Sequence, residues 1–481
     1  MSLSDEIYQA IFRFAVDSWV RDAVIGCTGE PGKHSNRYHQ ATSLSHVNAR
    51  WRGLVLDTAD LWSTLVTGHF NSKMIYVALQ RSKDLKLEVY ILPCSSVARF
   101  LALITMALLD DTQSGRISRL IIRLDERTAM DTPLMFDKVF PSLTELSVCH
   151  DKAYIPRAIP LHGTFAKHFP NLHILSLTKL PVTPDLMSGL SLSELRLEDC
   201  MIRERVDFSP TGSASCVIDI LARIPGLEVF TWLMDRDGRH AHPRPTTWDG
   251  DSPRVVRLAR LRKLELRAPM NTICYMMISV DVPRDCDFEL EAALHWQTTD
   301  IASLKEKLRN TVGRQLLRTE PADRGFTHLS LHDANFGSGV LMHWSSPHSQ
   351  SHDWSRDFRF TVTATPQPST DVPPRALADV CTSIMGWQPL SASLNCMTVT
   401  LPWFYTYHAD YADEIHHLWQ TAVSRLPSLS DVRTLHQMDR LQEFLNDTAV
   451  PGESLHINSG EGVPGGDPCC CHHLLMPPAS M

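Results

Sequence analysis

Residues 170–197 read PNLHILSLTKLPVTPDLMSGLSLSELRL, and one short unit occurs in them twice. Leu172, Leu175 and Leu177 carry the first copy, and Leu192, Leu195 and Leu197 the second. A strand turns successive side chains to opposite faces. The last two leucines of each copy therefore point one way, and the residue between them points the other. The first leucine anchors the turn into the strand. A unit of this size cannot bury its apolar face alone, so repetition predicts neighbouring strands that share one core.

The unit recurs along most of the chain. PSLTELSV carries Leu143, Leu146 and Val148; PGLEVFTW carries Leu227, Phe230 and Trp232; LARLRKLEL carries Leu261, Leu264 and Leu266. GFTHLSL, with Phe326, Leu329 and Leu331, and SLSDVRTL, with Leu429 and Val432, are later copies. This is the L-x-x-L-x-L core of a leucine-rich repeat in degenerate form. Its spacing is irregular, 29 residues from Leu146 to Leu175, then 20, 35 and 34 to Leu195, Phe230 and Leu264. The asparagine or cysteine that usually follows the strand is mostly missing, though Cys149 and Cys200 stand near its place. RLIIRL (119–124), LKLEVYIL (85–92), CDFELEAAL (286–294) and DFRFTVTA (357–364) read as further strands, and 71–80 and 97–109 as helices. Val217, Ile220, Leu221 and Ile224 form a helical stripe between repeats, as do Ile301, Leu304, Leu308 and Val312. An ordinary α/β domain whose strands contain leucine is the alternative.

Polar residues between the inward leucines face out. Ser176, Arg196, Thr231 and Glu265 come from successive copies and are expected to form one row across the outer strand face, a surface suited to a target protein. Three polar insertions, 235–253, 343–356 and 365–374, interrupt the array. Trp248, Trp344 and Trp354 lie in them, either as a binding surface or folded back into the core.

The chain begins differently. Ser43–Leu65 reads SLSHVNARWRGLVLDTADLWSTL, and Leu44, Val47, Trp51 and Leu54 recur at helical spacing with Ser43 as the expected N-cap. Ile7, Ile11 and Phe14 form a second stripe at i, i+4 and i+7, expected to bury against the first. The order Leu-x-x-Glu-Ile-x-x-x-Ile-Phe, then Leu-Ser-His-Val-x-x-x-Trp-Arg, then Leu-Trp-Ser resembles the F-box, and most closely the F-box proteins abundant in fungi. Ser4 stands where that family usually has proline, and a Gly- and Pro-bearing loop near 20–42 separates the two stripes. The resemblance implies a three-helix F-box that docks on the Skp adaptor, and through it on cullin, of an SCF-type ubiquitin ligase. It assigns the adaptor face and the core beneath it to Leu3, Ile7, Ile11, Phe12, Leu44, Val47, Trp51, Leu54, Leu61 and Trp62. The rest of the chain would then capture a target.

Together these readings give an α/β protein in three parts. Residues 1–68 are an F-box, 69–446 an irregular, horseshoe-like leucine-rich-repeat solenoid, and 447–481 a disordered tail. The net charge of −8 carries no basic footprint for nucleic acid. The longest apolar run, Phe100–Leu109, is too short to span a bilayer, and no signal peptide opens the chain. Twelve cysteines without a CxxC pair fit a reducing compartment, cytoplasmic or nuclear. Cys469–Cys471 with His472 and His473 reads as an incidental tail or a soft-metal cluster. No phosphate-binding loop, dinucleotide fingerprint, HExxH or nucleophile elbow occurs. The expectation is a receptor subunit without catalytic residues or cofactor, monomeric outside the ligase; the alternative is a repeat scaffold with a vestigial F-box.

Overall fold

The structure, a computed structural model, describes residues 4–25, 41, 43–66, 72–92, 111–124, 138–150, 165–202, 214–234, 254–283, 286–294, 301–313, 328–334, 339–345, 357–364, 374–385, 387, 394–400, 426, 429, 431–434 and 456–459. They belong to two compact units, Met1–Cys286 and Asp287–Met481. Leu3, the 97–109 helix, Phe326, Trp248, Trp354 and the cysteine-rich end lie outside the described residues.

The first unit opens with helices α1 (Asp5–Ile25), α2 (Ala49–Asp57) and α3 (Ser72–Arg81). Its strands are β1 (Thr64–Val66), β2 (Leu87–Ile91), β3 (Ile117–Leu124), β4 (Glu145–His150), β5 (Ile174–Thr178), β6 (Pro181–Val182), β7 (Glu194–Glu198), β8 (Met201–Ile202), β9 (Val229–Leu233), β10 (Val256–Arg257), β11 (Lys263–Pro269) and β12 (Val280–Asp281). Within the unit the main sheet runs β1-β2-β3-β4-β5-β7-β9-β11, and all of these neighbours pair in parallel. Two short pairs, β6 with β8 and β10 with β12, lie beside it.

The leucine register holds across neighbouring strands. Leu146 aligns with Leu175, Leu195, Phe230 and Leu264, and Val148 with Leu177, Leu197, Trp232 and Leu266. All ten are buried. The helical stripe also packs as expected, with Val217, Ile220 and Leu221 buried on the helix Ala214–Ala222. Strands β5 and β7 leave by a repeated corner. Lys179 and Asp199 adopt left-handed backbone, φ 58° and 51°, and their N–H groups donate to Glu198 O and Leu233 O of the next strand, each at 2.7 Å. The Cys200 Sγ donates to Leu177 O at 3.1 Å. Desolvation raises the Cys200 pKa to about 12, so this thiol keeps its proton.

In the second unit the strands are β13 (Asp287–Leu294), β14 (His328–Ala334), β15 (Gly339–Ser345), β16 (Asp357–Ala364), β17 (Cys396–Thr400), β18 (Asp431–Thr434) and β19 (His456–Ser459), in the order β13-β16-β15-β14-β17-β18-β19. β15 is antiparallel to both neighbours, so β14, β15 and β16 form a meander inside an otherwise parallel ladder. The helix Ile301–Leu308 follows β13 and buries Leu304 and Leu308 as expected.

Four sequence expectations change. Helix α1 continues to Ile25, so the inserted loop does not begin at 20. Strand β1 lies inside 1–68, so that segment is not helical throughout, and Arg81 on α3 ties to it: Arg81 Nη1 donates to Leu56 O at 3.1 Å and its guanidinium covers the Trp62 ring at 5.6 Å. Trp344 belongs to β15, not to a polar insertion, and is fully buried because Val340, Met342 and Trp344 alternate inward. His456–Ser459, inside the expected tail, pairs with β18.

Candidate functional site

The helical start and the outer strand face carry the sequence-predicted residues. At the start, Asn48 interrupts the stripe. Its backbone is extended, φ −161° and ψ 172°, and its Oδ1 accepts from Trp51 N at 2.8 Å. Asn48, not Ser43, therefore caps α2, because a short amide satisfies a first-turn N–H that would otherwise have no partner. Leu44 and Val47 precede α2 instead of sharing its stripe.

Helix α1 also buries a different side from the expected one. Phe12 is fully buried, and its ring lies edge-on to Trp51 at 4.9 Å. Tyr8 meets the same indole at 5.6 Å and lies under the Arg50 guanidinium at 5.1 Å. The Arg50–Asp5 pair at 2.6 Å braces α1 against α2, and the Arg13–Asp60 pair ties α1 to the 3-10 turn Ala59–Trp62 that follows α2. The stripe Ile7, Ile11 and Phe14 stays outside, 46%, 48% and 71% exposed, and Val47 is 57% exposed. Leu61 and Trp62 are buried, with Trp62 Nε1 donating to Val55 O at 2.8 Å. Leu44, Trp51 and Leu54 are half-buried. The predicted adaptor set thus divides. Phe12, Leu61 and Trp62 are core and cannot be contact residues, whereas Ile7, Ile11 and Val47 face outward.

On the strand face, Ser176 aligns with Arg196, Arg196 with Thr231, and Thr231 with Glu265, so the four form the expected row. Arg196 is exposed, and Ser176 and Glu265 are half-buried. Thr231 is only 5% exposed, and its hydroxyl donates to Glu265 Oε2 at 3.3 Å, so it braces the row from within.

The same face carries a charge network. Arg119 pairs with Glu145 at 2.8 Å and lies 5.9 Å from the Tyr90 ring; the Tyr90 hydroxyl donates to Glu88 at 3.4 Å. Arg196 reaches Glu198 at 3.5 Å, and Lys263 reaches Glu265 at 3.2 Å. Burial raises the Tyr90 pKa to about 12, against a lowering by Arg119. A raised pKa favours the neutral phenol in the folded state. Its contribution is complete below the unfolded value of 10 and is lost as pH climbs from 10 toward 12. Cys200 adds a loss that begins at its unfolded value of 9.0. Tyr90→Phe is expected to flatten the fall of the urea midpoint above pH 10 and to leave the segment between 9 and 10 unchanged.

One residue on this face has no counterpart in the sequence reading. Glu194 is half-buried and aligned between Ile174 and Val229; its backbone N–H donates to His173 O at 3.0 Å, and its carboxylate makes no hydrogen bond or ion pair among the described residues. Its strand position was legible, but which cations reach its carboxylate among the described residues depends on where the arginines of other strands point.

No family model matches the sequence, and no curated protein does. Among solved structures the chain is similar to InlP of Listeria monocytogenes, with 13% identity over 53% of this chain and 90% of that one, at a TM-score of 0.15. That likeness carries no argument about function. No helix among the described residues is long and apolar enough to cross a membrane, and no group of three or more metal-ligating side chains occurs among them.

Proposed function

We propose that this chain is the substrate-receptor subunit of an SCF-type ubiquitin ligase, docking the Skp adaptor through its helical start and a target protein through its strand face. The reading rests on the motif order at residues 3–63. The observation that carries it is the exposed apolar stripe Ile7, Ile11 and Phe14 on α1, whose other side packs on Trp51. Three large apolar side chains in line on one helix are an unusual surface without a partner. The chain performs no chemistry in this role. It raises the concentration of a bound target near the ubiquitin-charged enzyme.

Co-purification of the Skp adaptor with the full chain tests the proposal. The wild-type chain recovers adaptor, and Ile11→Glu combined with Val47→Glu lowers recovery by at least about tenfold. Both residues are exposed, so the melting temperature stays within a few degrees of wild type. Failure of the wild-type chain to recover adaptor replaces this reading with the repeat scaffold carrying a vestigial F-box. Undiminished recovery by the double variant removes the α1 stripe from the interface.

A further inference from the structure

We infer that Asn48 is a positioning residue for docking: its cap breaks a helix that would otherwise run through residues 44–54, and the break holds Val47 outward. The inference rests on the reading of the helical start as the adaptor surface.

Leu44, Val47, Trp51 and Leu54 stand at i, i+3, i+7 and i+10, the spacing of one unbroken apolar stripe. In an unbroken helix Val47 would lie one turn before Trp51 on the same side. That side is the inward one, because the Trp51 indole meets the rings of Phe12 and Tyr8. The chain instead turns at 46–47 and extends at Asn48 before α2 begins. His46 N donates to Ser43 O at 3.0 Å and Val47 N to Leu44 O at 3.3 Å. Each bond reaches three residues back, so the chain here is wound more tightly than an α-helix. Val47 emerges exposed.

Two contacts hold this break. Asn48 Oδ1 takes the Trp51 N–H, which in an unbroken helix would donate to Val47 O. Arg52 Nε donates to Ser45 O at 3.1 Å, across the turn. The exposure of Val47 is not a by-product of capping. A residue just before a cap often packs on the fourth helical residue. Here that residue is Arg52, which is committed to Ser45, and Val47 stays outside. The Asn48 side chain thus decides between two arrangements of one stripe, with Val47 out or with Val47 in. Asn48→Ala shifts that balance twice over, because it removes the cap and raises the helix propensity of the position.

Adaptor affinity of the full chain and hydrogen exchange over residues 44–52 test the inference together. Asn48→Ala is expected to bind the Skp adaptor at least about threefold more weakly than wild type, as the docking-competent fraction falls. Its exchange across the segment is expected to slow as the two helical pieces join. Asn48→Asp and Asn48→Ser supply equivalent caps and are expected to match wild type in both measurements. Leu177→Ala, on β5, weakens the fold more than a lost cap does, yet is expected to leave adaptor affinity unchanged, which separates positioning from general destabilisation. Wild-type affinity in Asn48→Ala, faster exchange there, or an Asn48→Asp variant as weak as Asn48→Ala overturns the inference. If the wild-type chain binds no adaptor, the docking reading falls by itself and exchange decides the cap. Slower exchange in Asn48→Ala then sustains the helix break, and unchanged or faster exchange overturns it.

Discussion

Leu177→Ala is expected to lower the unfolding free energy by about 2–5 kcal/mol, read as a drop in the urea midpoint at unchanged slope. Leu177 is fully buried on β5, between Val148 on β4 and Leu197 on β7, and Leu175 precedes it on the same face. The truncation removes apolar surface from the core and leaves a cavity. Neighbouring strands cannot close over it, because their backbone ladders hold them at fixed spacing. Leu266→Ala on β11 should cost a similar amount for the same reason. Ser176→Ala, one residue along on the opposite face, should change stability by no more than about 0.5 kcal/mol. If Leu177→Ala and Ser176→Ala proved equal, the inward register would be wrong, since slipping a strand by one residue exchanges its faces.

Trp344→Ala should be as damaging in the second unit, at about 3–5 kcal/mol. Its indole is fully buried and lies 5.0 Å from the Phe358 ring, which in turn meets Phe288 edge-on at 6.4 Å. Trp344→Phe should cost much less than alanine. It keeps most of the aromatic volume, and it removes a buried indole N–H that finds no acceptor among the described residues. Leaving such a donor unsatisfied costs about 1–3 kcal/mol in the native state, which partly offsets the lost ring. Equal losses for phenylalanine and alanine would mean that the indole N–H is held by an acceptor.

The candidate surfaces were legible only in part. The row Ser176, Arg196, Thr231 and Glu265 follows from period-two alternation in copies that share a register, and the strands align as that pattern requires. Nothing local marks Thr231 as nearly buried, because its cover comes from other parts of the fold. Helix α1 contains two overlapping stripes at helical spacing, Ile7–Ile11–Phe14 and Tyr8–Phe12–Ala15. Periodicity ranks them by hydrophobicity and selects the first. The structure turns the second inward, burying Phe12 and half-burying Tyr8 and Ala15, because Trp51 offers Tyr8 and Phe12 aromatic neighbours and Arg50 adds its charge over the Tyr8 ring.

The sequence by itself determined which residues face the core on strands β4, β5, β7 and β11: an inward apolar residue at every second position leaves only one face to bury. It also determined the helices that bury Val217 and Leu304, whose spacing is local. The order of the second unit's strands came only from tertiary structure. The segment Gly339–Ser345 alternates as a strand should, yet the polar stretch after it obscured the signal, and only pairing with β14 and β16 makes it the antiparallel centre of a meander. Tertiary structure likewise decided that Asn48 divides the stripe of residues 43–54, since a cap competes with helix continuation. Each of these outcomes depends on groups distant in sequence, and periodicity reports only what a residue shares with its near neighbours.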